Sequence, residues 1–227
     1  MFRISKTHLF LFIVSLVAIP SVQAAGPLQK ALEEKAGGST EMSISNELEQ
    51  MAHKAASFQG KLPDHTFSSG EKLKDFYTDG PLVLTFYRGH WCPYCTLELK
   101  EYENLHAKFT ELGATVLAVT PDLPMQVKKT KVKYNLSFSL ISDKDHALAK
   151  KLGLAFKLDD KTLKLYKSYG IDLAGSQGNK GDTLPLPGTY VVDKDGVVVY
   201  AFVDPNYKKR AEPVEVLEVV EGIQVKE

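Results

Sequence analysis

The chain has 227 residues, with 28 basic and 28 acidic side chains, 44% hydrophobic residues and 10% aromatic ones. These proportions exclude collagen-like, disordered and multi-span membrane classes. A zero charge balance without a basic stripe gives no footprint for nucleic acid, and a total of 2 cysteines excludes a disulfide scaffold.

Residues 1–24 read as a secretory signal peptide. Arg3 and Lys6 give a positive start, residues 9–19 (LFLFIVSLVAI) are unbroken apolar, and Val22-Gln23-Ala24 supplies the small-residue end, with cleavage after Ala24. The run falls well short of the roughly 20 residues that span a bilayer. The expectation is an exported, periplasmic chain with no stable membrane insertion after signal cleavage, in a compartment where disulfides form. Residues 25–58 read as an N-terminal helical arm. Two helix-like pieces, 28–35 and 44–58, flank Gly37-Gly38-Ser39, and Leu48, Met51, Ala52 and Ala55 recur at helical spacing in the second. The arm is expected to pack on the domain, and a homodimer is its second expected use.

Residues 59–227 alternate strand and helix patterns. Residues 82–87 (LVLTFY) read as a buried strand. A helix over 93–112 carries Leu99, Tyr102, Leu105, Phe109 and Leu112 on one stripe and stops at Gly113. A strand over 115–119, a helix over 123–134, a strand over 138–141 and a short helix over 145–152 follow. Residues 190–192 and 197–202 flank Asp193-Lys194-Asp195-Gly196, a hairpin signal, and 212–221 form the last helix. This order is that of an α/β layer fold. Lys128, Lys129, Lys131 and Lys133 read as a solvated helix face.

The chemistry lies at Trp91-Cys92-Pro93-Tyr94-Cys95, where the buried strand hands over to a helix. A C-x-x-C so placed reads as a redox-active disulfide motif. Cysteines three apart at a helix start close a small ring, and the unpaired N–H groups of the first turn favour a thiolate. Pro93 suits the first helical position, since the donor it lacks would be unsatisfied there anyway. Thiols in such motifs titrate about one to five units below the free value of about 8.5. A structural disulfide is disfavoured because so short a ring constrains little of the unfolded chain. A metal site needs about four ligands and there is no second C-x-x-C, so no metal is expected; His90, His106 and His146 read as surface or satisfied histidines.

These residues resemble the peroxiredoxin-like, AhpC/TSA-type redoxins of the thioredoxin superfamily. Leu62-Pro63-Asp64-His65-Thr66-Phe67 is similar to the A-P-D-F opening of that domain. Phe86-Tyr87 with Cys95 resembles the F-Y-P-x-x-x-T-x-x-C frame, and Glu98 falls where C-P-T-E has its glutamate. Ser142-Asp143-Lys144-Asp145 with the run 148–153 resembles S-D-x-x-x-x-x-A-x-x-Y-G. Pro187-Gly188-Thr189-Tyr190-Val191-Val192-Asp193 resembles the P-x-T-F-x-I-D strand, and Asp204-Pro205-Asn206-Tyr207 with Arg210-Ala211-Glu212-Pro213 resembles the family's tail. Arg88 stands where the frame has proline, and Cys92 where it has threonine.

The resemblance implies a thioredoxin-like fold, a central mixed β-sheet flanked by helices. It also implies an antioxidant oxidoreductase needing no cofactor. Cys95 would attack a peroxide and become a sulfenic acid, Cys92 would condense with it, and an external thiol reductant (a thioredoxin-like protein or a small thiol) would reopen the disulfide. Pro187 would be a cis-proline facing the cysteines. Arg88 or Arg210 is a candidate source of positive charge, with surface placement the base-rate expectation for Arg210. Trp91 and Tyr94 are expected beside the pair as packing. The W-C-x-x-C also resembles thioredoxins, which implies the alternative: a thiol–disulfide oxidoreductase acting on exported protein disulfides, with Cys92 the exposed nucleophile and Cys95 resolving.

Overall fold

The computed structural model describes Leu28, Lys30, Ala31, Glu34 and residues 44–224. The signal-peptide reading and most of the first arm helix fall outside the described residues. The second arm helix is α1 (Asn46–Ala56), which begins at Ser45, whose hydroxyl accepts from the Leu48 N–H. Its stripe of Leu48, Ala52 and Ala55 is buried in a core cluster shared with the sheet.

The domain is built on β1 (Leu82–Phe86), α2 (Pro93–Glu111), β2 (Thr115–Thr120), α3 (Pro124–Lys133), β3 (Ser139–Ser142) and α4 (Ala147–Lys151). There follow β4 (Ala155–Lys157), α5 (Asp160–Ser168), α6 (Leu173–Gln177), β5 (Thr183–Pro185), β6 (Gly188–Val192), β7 (Val198–Val203) and α7 (Pro213–Gln224). The main sheet runs β3-β2-β1-β6-β7, with β1 parallel to β2 and antiparallel to β6, so it is mixed. It is the thioredoxin-like α/β architecture expected from the chain.

Strand alternation divides the core. Leu82, Leu84 and Phe86 enter the cluster containing α1 and α4, whereas Val83 and Tyr87 enter the cluster containing α2, α7 and both cysteines. All five residues of β1 are buried, as its unbroken apolar run requires of a central strand covered on both faces. The hairpin between β6 and β7 turns at residues 193–196, where the Asp193 carboxylate accepts from the Asp195 and Val197 N–H groups and Gly196 takes a φ of 80°.

The segment 155–185 has no counterpart in the sequence reading. It forms the two-stranded sheet of β4 and β5 with α5 and α6 between them. Leu158, Leu173 and Leu184 make a small cluster there, on which Trp91 and Tyr166 pack.

Candidate active site

Cys92 is the N-cap of α2: its backbone is extended (φ −87°, ψ 111°), and its sulfur accepts from the Cys95 N–H at 3.4 Å. Pro93 occupies the first helical position, as its fixed φ and missing donor allow. The Cys92 N–H closes a turn onto the Gly89 carbonyl at 3.1 Å. Both cysteines are free and each is only 1% exposed. Burial corrects the expectation that Cys92 is an exposed nucleophile.

The Cys95 sulfur receives two further donors, the Arg88 N–H at 3.4 Å and Arg210 Nη2 at 3.3 Å. Arg210 is therefore not a surface residue. It is 5% exposed, its Nε donates to the Tyr207 carbonyl at 2.9 Å, and its Nη1 bonds the Glu98 carboxylate. Glu98 is 1% exposed, and its other oxygen accepts from Thr85 Oγ1 at 3.3 Å. Thr85 in turn accepts from Thr189 Oγ1 at 3.2 Å. A buried cation is thus held by one fixed carboxylate and turned on the sulfur, in the charge-assisted geometry that favours a thiolate.

The two sulfurs titrate as one unit. Burial pushes Cys92 up, but the hydrogen bond from Cys95, the charges of Arg88 and Arg210 and the Cys95 N–H outweigh it and bring Cys92 down to about 6. Cys95 is pushed above the thiol range by burial, by its hydrogen bond to Cys92 and by the charge there, against the pull of Arg210 and Arg88. The pair so holds one proton between two sulfurs near neutral pH.

Arg88 is 2% exposed, and its guanidinium carbon lies 4.2 Å from the Tyr207 ring centre, 5.1 Å from Trp91 and 5.6 Å from Tyr166. Its Nη2 bonds the Tyr166 hydroxyl. Trp91 and Tyr166 pack at a tilt with ring centres 5.4 Å apart, and Tyr94 meets Tyr207 edge to face at the same separation. Trp91, half-buried, and Tyr94, buried, pack in the cluster that holds both cysteines. Tyr166 and Tyr207 join them, neither having been singled out for this role from the sequence. Pro187 is buried immediately before β6, and its peptide bond is trans: no cis bond occurs among the described residues. The cis-proline expectation is thereby corrected.

Of the three histidines considered as ligands, His106 is half-buried and bonds Ser137 at 2.8 Å, His146 is buried, and His90 binds Asp122. No group of three or more metal-ligating side chains occurs among the described residues. Lys128, Lys129 and Lys133 are solvated, while Lys131 ties α3 to the Phe138 carbonyl at 2.8 Å.

A thioredoxin-like sheet with a buried dithiol at the start of α2, faced by an arginine–glutamate pair, defines a redoxin. The family model described as the AhpC/TSA family matches residues 51–201, and the chain belongs to that family. It is 33% identical over 128 residues to Peroxiredoxin Bcp of Bacillus subtilis (strain 168), which covers 56% of this chain and 70% of that protein. It is 32% identical over 122 residues to a putative chloroplastic peroxiredoxin Q of Oryza sativa subsp. indica, covering 54% of this chain but only 46% of that one. Among solved structures it is similar in fold to peroxidoxin BcpB of Mycobacterium tuberculosis, with a TM-score of 0.57 at 21% identity over 73% of this chain and 98% of that one.

Proposed function

We propose that the protein is a thiol peroxidase in which Cys95 and Cys92 form the redox pair. The observation that carries this reading is the double donation to the Cys95 sulfur by the Arg88 N–H and the Arg210 guanidinium. The same donors suit the oxyanion that develops as a peroxide bond breaks. The kinship with Bcp and peroxiredoxin Q supports it.

In the resting pair Cys92 is the more acidic sulfur and Cys95 holds the proton, so the Cys95 thiolate forms when that proton passes along the hydrogen bond to Cys92. The Cys95 thiolate attacks one peroxide oxygen: an S–O bond forms, the O–O bond breaks, and the departing alkoxide or hydroxide takes up a proton. Cys92 then displaces water from the sulfenic acid, giving the Cys92–Cys95 disulfide. An external dithiol or two monothiols reopen it and are themselves oxidised to a disulfide. At 1% exposure, the sulfurs suit a peroxide better than a bulky protein disulfide as oxidant. Peroxide consumption by the reduced chain with dithiothreitol tests the reading: activity is expected for the wild type and none for Cys95→Ser. Consumption undiminished by Cys95→Ser contradicts it.

Export completes the proposal. Arg3, Lys6, the run 9–19 and Val22-Gln23-Ala24 support signal cleavage after Ala24, and N-terminal sequencing of the secreted chain checks it. A homodimer through the arm is part of the same reading, with sedimentation as its check.

A further inference from the structure

Six buried side-chain atoms have no hydrogen-bond partner among the described residues, and four of them surround the loop that carries the cysteines: Tyr87 Oη, Arg88 Nε, Trp91 Nε1 and Asp122 Oδ1. Buried polar groups are satisfied as a rule, by protein or by ordered water. Such a concentration therefore marks a polar space. Gly89 locates it. An atom placed as its Cβ would lie 2.4 Å from Trp91 Nε1 and 3.1 Å from Asp122 Oδ1, so the indole donor and the carboxylate acceptor both close on the Gly89 backbone, where no side chain fits.

Asp122 is 0% exposed and follows β2, at the sheet end where the pair sits. Its Oδ2 accepts from the His90 N–H at 2.7 Å and lies 3.1 Å from His90 Nδ1. The His90 side chain is 34% exposed, so this contact leads from the interior to water. The chemistry needs such a route. Both sulfurs are buried, yet a thiol must lose a proton before it attacks, and a thiolate leaving a disulfide must gain one.

We propose that Asp122 and His90 carry protons between the cysteine pair and solvent, with the Tyr87 hydroxyl on the cysteine side of the path. Outward, a thiol proton passes to the Asp122 carboxylate, leaving a thiolate and a neutral carboxyl. That proton then moves to the His90 imidazole, and from the imidazolium to water. Inward, the same transfers reverse and protonate the leaving thiolate when the disulfide is reduced. Burial raises the Asp122 pKa, against the N–H, charge and ring of His90, which brings its carboxyl closer to proton exchange near neutral pH. Tyr87 packs in the cluster that holds both cysteines, and burial followed by the charge of Asp122 raises its pKa well above the usual phenol range, with the Thr120 hydroxyl opposing and Cys95 adding a smaller push. The titratable and charged groups facing the path are Tyr87, Arg88 and His90 on the connection before α2, Glu98 on α2, and Tyr207 and Arg210 before α7. The Ser142 hydroxyl covers Asp122 from β3 and is neutral.

The inference rests on Cys92 and Cys95 being a redox pair, and the test separates the two claims. Reduction of the Cys92–Cys95 disulfide by dithiothreitol in the full chain is followed by the fluorescence of Trp91, the chain's only tryptophan. Asp122→Asn and His90→Ala are each expected to slow the reaction about tenfold or more at pH 7, at the low end of proton-transfer effects. Added imidazole restores the His90→Ala rate, as an external proton carrier does, and leaves Asp122→Asn slow. Wild-type rates in both variants, or a slow His90→Ala protein that imidazole does not restore, overturn the relay. Should Asp122→Asn fail to fold, the half-exposed His90 position still decides. A wild-type chain that forms no disulfide with peroxide defeats the redox-pair reading instead.

Discussion

Arg210 and Cys95 lie 115 positions apart, yet Arg210 Nη2 stands 3.3 Å from the Cys95 sulfur while Nη1 bonds Glu98. One cation serves a constant carboxylate and a sulfur whose charge comes and goes. Arg210→Lys keeps the charge but lacks the planar fork that meets both partners. It is expected to slow single-turnover oxidation by peroxide about tenfold, near 1.4 kcal/mol of barrier. Arg210→Met leaves Glu98 buried without its cation, which costs about 3–5 kcal/mol in urea unfolding.

The pH dependence of the reduced chain follows from the pair. Cys92 has its folded pKa lowered to about 6, below the ordinary thiol value. An acid depressed in the folded state stabilises fully above its unfolded value, and the contribution is lost as pH falls through the folded one. Stability from Cys92 should therefore rise from about pH 6 to about 8.5. Cys95, raised chiefly by burial, opposes folding at higher pH. Thiolate absorbance at 240 nm should show one ionisation near 6, and Cys92→Ser should abolish it. A first midpoint at the ordinary thiol value contradicts the account.

Tyr166 holds α5, which buries no residue of its own, against Arg88 and Trp91. Each cation–π contact contributes about 0.5–2 kcal/mol. Tyr166→Ala should raise the rate at which a bulky aromatic disulfide reagent reaches the thiols about tenfold, with peroxide oxidation changed much less. An unchanged labelling rate counts against Tyr166 as a cover.

Thr85 is fully buried in β1 and donates to Glu98. Thr85→Val preserves shape but removes that donor, leaving one carboxylate oxygen short of a bond. Unfolding in urea should show a loss of about 1–3 kcal/mol, with the Cys92 midpoint nearly unmoved.

The central strands and α2 were legible because their signals are local: an unbroken apolar run, a stripe at helical spacing, a proline after the first cysteine and Gly113 at the end. Segment 155–185 was not. Its helix α5 rests on half-buried side chains rather than a core stripe, and β4 and β5 are three residues each. The strand β6 begins at Gly188, a residue that weakens a strand signal. Arg210 follows Lys208 and Lys209 in a polar stretch that reads as surface, and only the docking of the tail beside α2 carries it inward. Asp122 gave no motif at all. Its meaning lies in what it faces across the sheet end.

Sulfenic-acid trapping in the Cys92→Ser protein tests the assignment of Cys95 most directly. With no resolving thiol, one equivalent of peroxide should leave a single dimedone adduct, located on Cys95 by mass spectrometry. Absence of the adduct, together with stable mixed disulfides captured through Cys92 in the Cys95→Ser protein, would make Cys92 the attacking sulfur and contradict the account.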